Sequence, residues 1–136
     1  MRFENKIAIA VREDLAAWQK LNVTAFLASG LAHAAPGLMG EPYRDASDNA
    51  YLPLLGQPVL VYAAGAEDLA RVRARALDRG LATAVYTEEM FATGHDEANR
   101  AAVRAAEAGK LALVGLGLFG PRNAVDRAAK GLALHG

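Results

Sequence analysis

Cysteine is absent from this chain of 136 residues, and its absence removes several kinds of chemistry at once. Without cysteine there is no disulfide, no thiolate nucleophile and no cysteine ligand for a metal ion. Histidine is also scarce, since the three histidines at positions 33, 95 and 135 lack the His-x-x-x-His spacing of a metal site. We therefore predict no metal and no cofactor, and the lack of cysteine agrees with a cytoplasmic location.

Long apolar runs and an excess of one charge are missing as well. No stretch approaches the roughly 18 consecutive apolar residues needed to cross a bilayer, and the N-terminal sequence MRFENKIAIAV lacks the features of a signal peptide. The 15 Lys and Arg residues balance the 15 Asp and Glu residues, whereas proteins that bind nucleic acid usually carry a basic excess. These absences predict a soluble cytoplasmic protein with no membrane attachment and disfavour nucleic acid as a partner.

The residues that are present suffice for one folded domain over residues 1–136. Hydrophobic residues make up 53% of the chain and charged residues 22%, which excludes a disordered protein. A domain of this length buries roughly two-thirds of the surface that its unfolded chain exposes.

Short apolar runs alternate with segments of helical periodicity. The predicted strands cover residues 6–11, 51–55, 58–63, 81–86 and 110–118. The predicted helices cover residues 16–35, 66–79, 96–108 and 121–131. This order predicts an α/β domain whose mixed sheet of four or five strands is flanked by helices.

Two connections in this pattern have local signals of their own. The pair Gly56-Gln57 lies between two strand candidates, as in a tight hairpin. Asp96 follows the polar loop 87–95 and is expected to cap the next helix.

Arg12, Glu13 and Asp14 follow the first strand directly, at the type of position where open α/β sheets bind ligands. The planar guanidinium of Arg12 is suited to a phosphate or carboxylate, and Asp14 would orient Arg12 or Lys20. The alternative interpretation is a local salt bridge, with Asp14 as the cap of the first helix.

Lys20, Asn22 and Thr24 occupy the early part of the first helix. Partial desolvation by the neighbouring Trp18 would suit Lys20 to act as a base or as an oxyanion stabiliser. Asn22 and Thr24 are poor formers of helix interiors, which favours a ligand-binding reason for their presence. The alternative is a lysine that is simply solvated.

Glu89, Thr93 and His95 lie in the most polar loop of the chain. A carboxylate near a histidine is the common arrangement for general acid–base catalysis. These side chains converge only if the loop folds back on itself. In the alternative interpretation Asp96 caps its helix, Glu89 lies in solvent and His95 has no role.

Gly120 precedes a helix that begins at Pro121, and the free N–H groups at such a helix start can hold an anion. The spacing of Gly115, Gly117 and Gly120 also matches the G-x-G-x-x-G pattern of dinucleotide-binding proteins. We interpret that match as chance, because two of the glycines lie inside a strand and no acidic residue follows at the required distance.

Three blocks resemble the peptidyl-tRNA hydrolase II superfamily, and in particular a bacterial branch of uncharacterised proteins that carry a domain of unknown function. The blocks are KIAIAVREDL, GQPVLVYAAGAEDLARVRARALDRGL and LVGLGLFGPRNAVDRAAKGLAL. They keep the order that they have in the superfamily and span a little over half of the chain. The resemblance implies the superfamily's fold and, if the protein is catalytic, hydrolysis of an ester or amide.

The resemblance also implies roles for particular residues. Lys20 corresponds to one of two lysines in the hydrolases, while Glu89 and Thr93 correspond to an Asp and a Thr in a later loop. Asn22 and Phe26 stand where the hydrolases carry a second lysine and a glutamine.

Taken together, these patterns predict a small anionic ligand bound in one cleft at the strand ends. If the protein is an enzyme, Lys20, Glu89 and His95 would be catalytic. Arg12, Asp14, Asn22, Thr24, Thr93 and Gly120 would bind the ligand. The alternatives are a divergent hydrolase and a non-catalytic homodimer, in which an arm at residues 40–55 pairs with the sheet edge of a second copy.

Overall fold

Seven strands occur in the computed structural model, which describes residues 3–136. They are β1 (Asn5–Arg12), β2 (Tyr43–Arg44), β3 (Ala50–Tyr51), β4 (Val59–Ala64), β5 (Ala82–Thr87), β6 (Leu113–Pro121) and β7 (Ala133–Leu134). Five of them form a mixed sheet in the order β5-β6-β1-β4-β7, in which only β1 and β4 are parallel neighbours. The predicted α/β class and the mixed sheet of four or five strands are thus confirmed.

Helices cover both faces of this sheet. The α-helices in the described part are α1 (Ala17–Ala34), α2 (Ala66–Asp78), α3 (Asp96–Ala105) and α4 (Arg122–Ala128). Side chains from α1 pack on one face of β1, whereas side chains from α2 and α4 pack on the other. This arrangement follows from the sequence of β1, because an uninterrupted apolar strand needs cover on both sides.

Glycines in β6 allow α1 to approach the sheet closely. A Cβ atom on Gly117 would lie 3.1 Å from Cδ1 of Leu31, and one on Gly115 would lie 3.0 Å from Cδ1 of Leu27. Leu27 and Leu31 are buried in the layer between α1 and the sheet. Two of the three glycines that matched a nucleotide fingerprint, Gly115 and Gly117, therefore serve to pack α1 on the strand.

The predicted hairpin between residues 51–55 and 58–63 is wrong. β4 pairs with β1 in parallel and with β7 in antiparallel orientation, while β3 pairs with β2. Gly56 instead donates its N–H to the carbonyl of Leu38 at 2.7 Å. Within the arm predicted at residues 40–55, residues 41–52 are exposed along their whole length, and the name arm is kept for these residues, which include β2, β3 and the turn between them.

Candidate functional site

Arg12 lies at the carboxyl end of β1, where its side chain reaches the residue that follows β5. Its Nε donates to Asp14 at 2.6 Å and its Nη2 donates to Glu88 at 3.0 Å. The hydrogen bond with Asp14 is the main reason why the pKa of Arg12 is raised. Two carboxylates therefore already compensate this guanidinium. The local salt bridge with Asp14 is confirmed.

The cavity beside Arg12 is small and is bordered by acidic side chains. It has a volume of about 350 Å³ and lies against Glu13, Asp14 and the start of α2. Asp14 does not cap α1, because the N-cap of that helix is Ala16. The N–H of Ala16 donates to the side chain of Gln19 at 3.0 Å. Carboxylates around a compensated arginine make this end of the sheet unfavourable for an anion.

Lys20 and Thr24 line a different cavity, which we call the α1–β4 groove. It has a volume of about 590 Å³, and its lining comes mainly from apolar side chains of α1, β1 and β4. Nζ of Lys20 lies 3.1 Å from Nε2 of His135 at this groove. The hydroxyl of Thr24 donates to the carbonyl of Lys20 at 2.7 Å, so its hydrogen is used within the helix.

Thr93 and His95 organise the start of α3. Nδ1 of His95 accepts a hydrogen bond from the N–H of Ala98 at 3.3 Å, so His95 is the N-cap, a role we predicted for Asp96. The hydroxyl of Thr93 contacts the carbonyl of Met90 at 3.2 Å and the side chain of Asn99. Glu89 is exposed in the 3-10 helix Glu88–Phe91.

Gly120 lies at the opposite end of the sheet from Arg12. It is buried in β6 opposite Lys6, and Leu81 occupies the space that a side chain would need. The N–H of Arg122 donates to the carbonyl of Glu4 at 2.9 Å, so the first amide of α4 is already bonded. One of the N–H groups predicted to hold an anion at this position is therefore already used.

Asn22 faces the other side of α1, towards Tyr86 on β5. Burial raises the pKa of the Tyr86 hydroxyl, and the side-chain hydrogen bond with Asn22 offsets part of that rise. Tyr86 is also the centre of an aromatic cluster. Its ring centroid lies 5.3 Å from that of Phe91 and 5.9 Å from that of Phe26, and Trp18 lies 5.9 Å from Phe91.

A larger cavity, the α1–α3 groove, lies directly beside this cluster. It has a volume of about 710 Å³, with β5 as its floor and α1 and α3 as its walls. Apolar side chains provide much of the surface, including Phe26, Leu27, Tyr86, Met90 and Val103. Small-molecule sites in proteins are concave, mostly apolar and roughly 300–1,000 Å³ in volume.

The rim of the α1–α3 groove carries two arginines from α3. Arg100 forms an ion pair with Asp96, one turn earlier in the same helix. Arg104 also lines the groove, and within residues 3–136 it takes part in no ion pair. No residue of α3 is buried, so this helix stands away from the sheet and leaves the groove open.

The residues predicted from the sequence thus lie in separate places. Arg12 and Asp14 meet at the strand ends, Lys20 and Thr24 line the α1–β4 groove, and the predicted residues of the polar loop sit at or before the start of α3. Tyr86 and Arg104 were missed. The only local signal was the position of Tyr86, an aromatic residue at the end of a strand; the sequence offered none for Arg104.

Neither a metal centre nor a membrane-spanning helix is found in the part of the chain that the structure describes. No group of three or more His, Cys, Asp or Glu side chains within residues 3–136 is arranged to hold a metal ion. None of the helices in that range has the length and apolar character required to span a membrane.

Comparison with known proteins assigns the chain to a family. Residues 5–136 match the model of DUF2000, a family described as proteins of unknown function, and the chain belongs to this family. The solved structure of Atu0240, a protein of unknown function from Agrobacterium tumefaciens strain C58, is similar, with 47% sequence identity and a TM-score of 0.96. The match covers 99% of this chain and 100% of the other. No curated protein matches.

Proposed function

We propose that this protein binds a small organic anion with a flat apolar body in the α1–α3 groove. The observation that carries the proposal is the combination of an apolar groove, an adjacent aromatic cluster and a rim arginine, Arg104, with no carboxylate partner among residues 3–136. The anionic ligand is the one expected from the sequence, but the proposed site is different.

Each part of such a ligand has a counterpart in the groove. A ring would pack against Phe26 and Tyr86, whose own rings are tilted by 57° to each other, and aromatic contacts contribute about 0.5–1.5 kcal/mol beyond the area that they bury. A carboxylate would reach the guanidinium of Arg104, which can donate two parallel hydrogen bonds to it. The ligand class is therefore an aromatic carboxylate.

The test is isothermal titration with 1-naphthaleneacetate and with its uncharged amide. Hydrogen bonds to charged groups contribute roughly 1.5–3 kcal/mol, so Arg104→Met should weaken binding of the acid at least tenfold and leave the amide nearly unchanged. Arg127→Met is the matched control, because Arg127 is exposed on α4, on the other face of the sheet. If Arg104→Met and Arg127→Met behave alike, the proposed role of Arg104 is wrong.

A second variant tests the groove itself. Gly30 lines the groove, and the nearest atom to an added Cβ would be the Cβ of Ala84 at 3.5 Å. Gly30→Leu should therefore fill the groove and abolish binding of both probes while the protein stays folded. Ala70→Leu, at an exposed position of α2, controls for a general effect of a new leucine. Unchanged binding by Gly30→Leu would place the ligand elsewhere.

Hydrolysis of an ester or amide is a second candidate function, favoured by the contact between Lys20 and His135 at the α1–β4 groove. Lys20 would stabilise the oxyanion, and the apolar lining would strengthen that interaction by excluding water. Lys20→Met should abolish turnover of a p-nitrophenyl ester, whereas Lys130→Met, at an exposed position, should not. Equal rates for the two variants would exclude this role for Lys20.

The relationship to the peptidyl-tRNA hydrolase II superfamily is likewise a proposal. It is supported by the order of the three sequence blocks, which here form β1, the unit of β4 and α2, and the unit of β6 and α4. A hydrolase acting on peptidyl-tRNA would release free tRNA from that substrate, and Lys20→Met would be the variant to compare.

A further inference from the structure

The outer side of α1 is apolar although it faces solvent. Trp18 is 62% exposed and Leu21 is 73% exposed. Only two of the 18 residues of the helix, Lys20 and His33, can carry a charge. Large apolar side chains that stand together on a protein surface mark a site of contact with a partner.

Residue size divides this outer side into two halves. The stripe that begins with the large side chains of Trp18 and Leu21 continues at helical spacing with small residues only. The exposed Phe26 and His33 of the C-terminal half lie to one side of this stripe. The small residues are Ala25, Ala28, Ser29 and Ala32. A partner helix that fits has the same two halves in the opposite order.

A second copy of α1, running antiparallel, is such a helix. We propose that this protein forms a homodimer in which the two α1 helices pack antiparallel about a two-fold axis at Ala25. In that register Trp18 lies against Ala32 of the partner subunit, and Leu21 lies against Ser29 of the partner subunit. Each large side chain thus meets a small one, as a self-complementary interface requires. This surface borders both grooves, because Ser29 also lines the α1–α3 groove and Leu21 also lines the α1–β4 groove.

The arm supplies the rest of the interface. A helix of 18 residues extends only about 27 Å, and a standard interface buries roughly 800 Å² on each partner. The arm follows the C-terminal end of α1, and its side chains Tyr43, Tyr51 and Leu52 are between 54% and 84% exposed. In an antiparallel pair this end lies beside the N-terminal end of the partner's helix, where the arm can cover Trp18 and Leu21.

The composition of α1 also agrees with a second copy as the occupant. Tryptophan, tyrosine and other aromatic residues are enriched in the cores of interfaces, and charged residues are depleted there. The helix contains no acidic residue, so a basic partner would find no complementary charge on it. A second copy of α1 also has no acidic residue, so its packing does not depend on complementary charge.

Molar mass in solution provides the first test. Multi-angle light scattering after gel filtration should give twice the 14.3 kDa of one chain. Leu21→Lys should return the mass to that of one chain. Leu77→Lys should not, because Leu77 is 55% exposed on α2, on the other face of the sheet. A wild-type monomer at all concentrations would overturn the proposal, as would a dimer unaffected by Leu21→Lys.

A cross-link tests the register and does not depend on a disruptive variant. The chain has no cysteine, so Ala25→Cys places a single thiol of each protomer at the proposed axis. Mild oxidation should convert most of this variant to a disulfide-linked dimer. Ala70→Cys, on the exposed side of α2, should stay monomeric on a denaturing gel. Equal cross-linking of the two variants would exclude the α1 register.

Discussion

Gly115 of β6 lies so close to Val23 of α1 that a Cβ atom on the glycine would be 2.5 Å from Cγ1 of the valine. Val23 is fully buried, so it has no free space into which it can move. Overpacking of this kind destabilises a core by about 1–3 kcal/mol. We therefore expect Gly115→Ala to lower the free energy of unfolding by that amount in urea denaturation. Gly109→Ala, whose Cβ would contact nothing within 4 Å, should leave it nearly unchanged.

Substitution of Gly30 by alanine should raise the stability of the protein. It lies inside α1, and the space around its Cα admits a methyl group. Alanine is more favourable than glycine in a helix interior by roughly 0.5–1 kcal/mol, so Gly30→Ala should raise the urea midpoint. Gly80→Ala should lower it, because Gly80 has a φ of +66° that disfavours a side chain. A destabilised Gly30→Ala variant would mean that α1 lies too close to β5 for the 3.5 Å contact between the new Cβ and that of Ala84.

Substitution of Arg12 should affect stability and not ligand binding. Both partner carboxylates are more than half exposed, and exposed ion pairs contribute roughly 0.2–1 kcal/mol each. Arg12→Met should lower the free energy of unfolding by about 1 kcal/mol. Its affinity for 1-naphthaleneacetate should stay that of the wild type. A tenfold loss of affinity would return the anion site to the carboxyl end of β1.

The arm should lose its structure in acid. The backbone N–H of Asn49 and the hydroxyl of Tyr51 donate to Asp45, and these bonds lower the pKa of Asp45 to about 2. The depressed pKa means that this stabilisation is complete above the ordinary value of 3.8 and is lost as the pH falls towards 2. The protection of the Asn49 amide, measured as its exchange rate relative to an unstructured peptide at the same pH, should fall in that window. Asp45→Asn should remove the pH dependence of this protection, and protection in the wild type that stays constant down to pH 2 would exclude the role of Asp45.

His95 should stabilise α3 through its capping bond. Replacing a capping side chain by alanine weakens a helix by about 1 kcal/mol. His95→Ala should therefore accelerate amide exchange at Ala98, which donates to the imidazole. His95→Asp keeps an acceptor and adds a favourable charge at the helix start, so exchange in that variant should be no faster than in the wild type. Equal rates in all three proteins would exclude a capping role.

Local signals were sufficient for most of the secondary structure. The apolar run before Arg12 forms β1, and Gly80 follows the end of α2 with a positive φ. Both depend on neighbours within a few residues, which a sequence reveals directly. The hairpin at Gly56-Gln57 failed because strand pairing is decided by partners far away in the chain. β4 pairs with β1, and the N–H of Gly56 donates to Leu38 in the connection that follows α1.

The candidate site was harder to predict than the secondary structure, because most of its contacts join residues that are far apart in the chain. The pairing of Arg12 with Asp14 spans two positions and was foreseeable. The contact of Lys20 with His135 spans 115 positions and depends on where β7 joins the sheet. Arg104 lacks any feature that sets it apart in the sequence. Its interest arises only because α3 stands away from β5 and leaves the groove between them.

The central place of β1 and β6 in the sheet has a consequence for how the molecule acquires its structure. Lys6 and Asp126, which form an ion pair, are separated by 120 positions, and β1 pairs with β6 along nearly its whole length. During synthesis the edge of β1 that pairs with β6 stays without its partner until β6 has left the ribosome. Long-range pairing of this kind slows folding and leaves apolar surface open to aggregation in the meantime. We therefore expect expression yield to depend strongly on temperature and on chaperone supply.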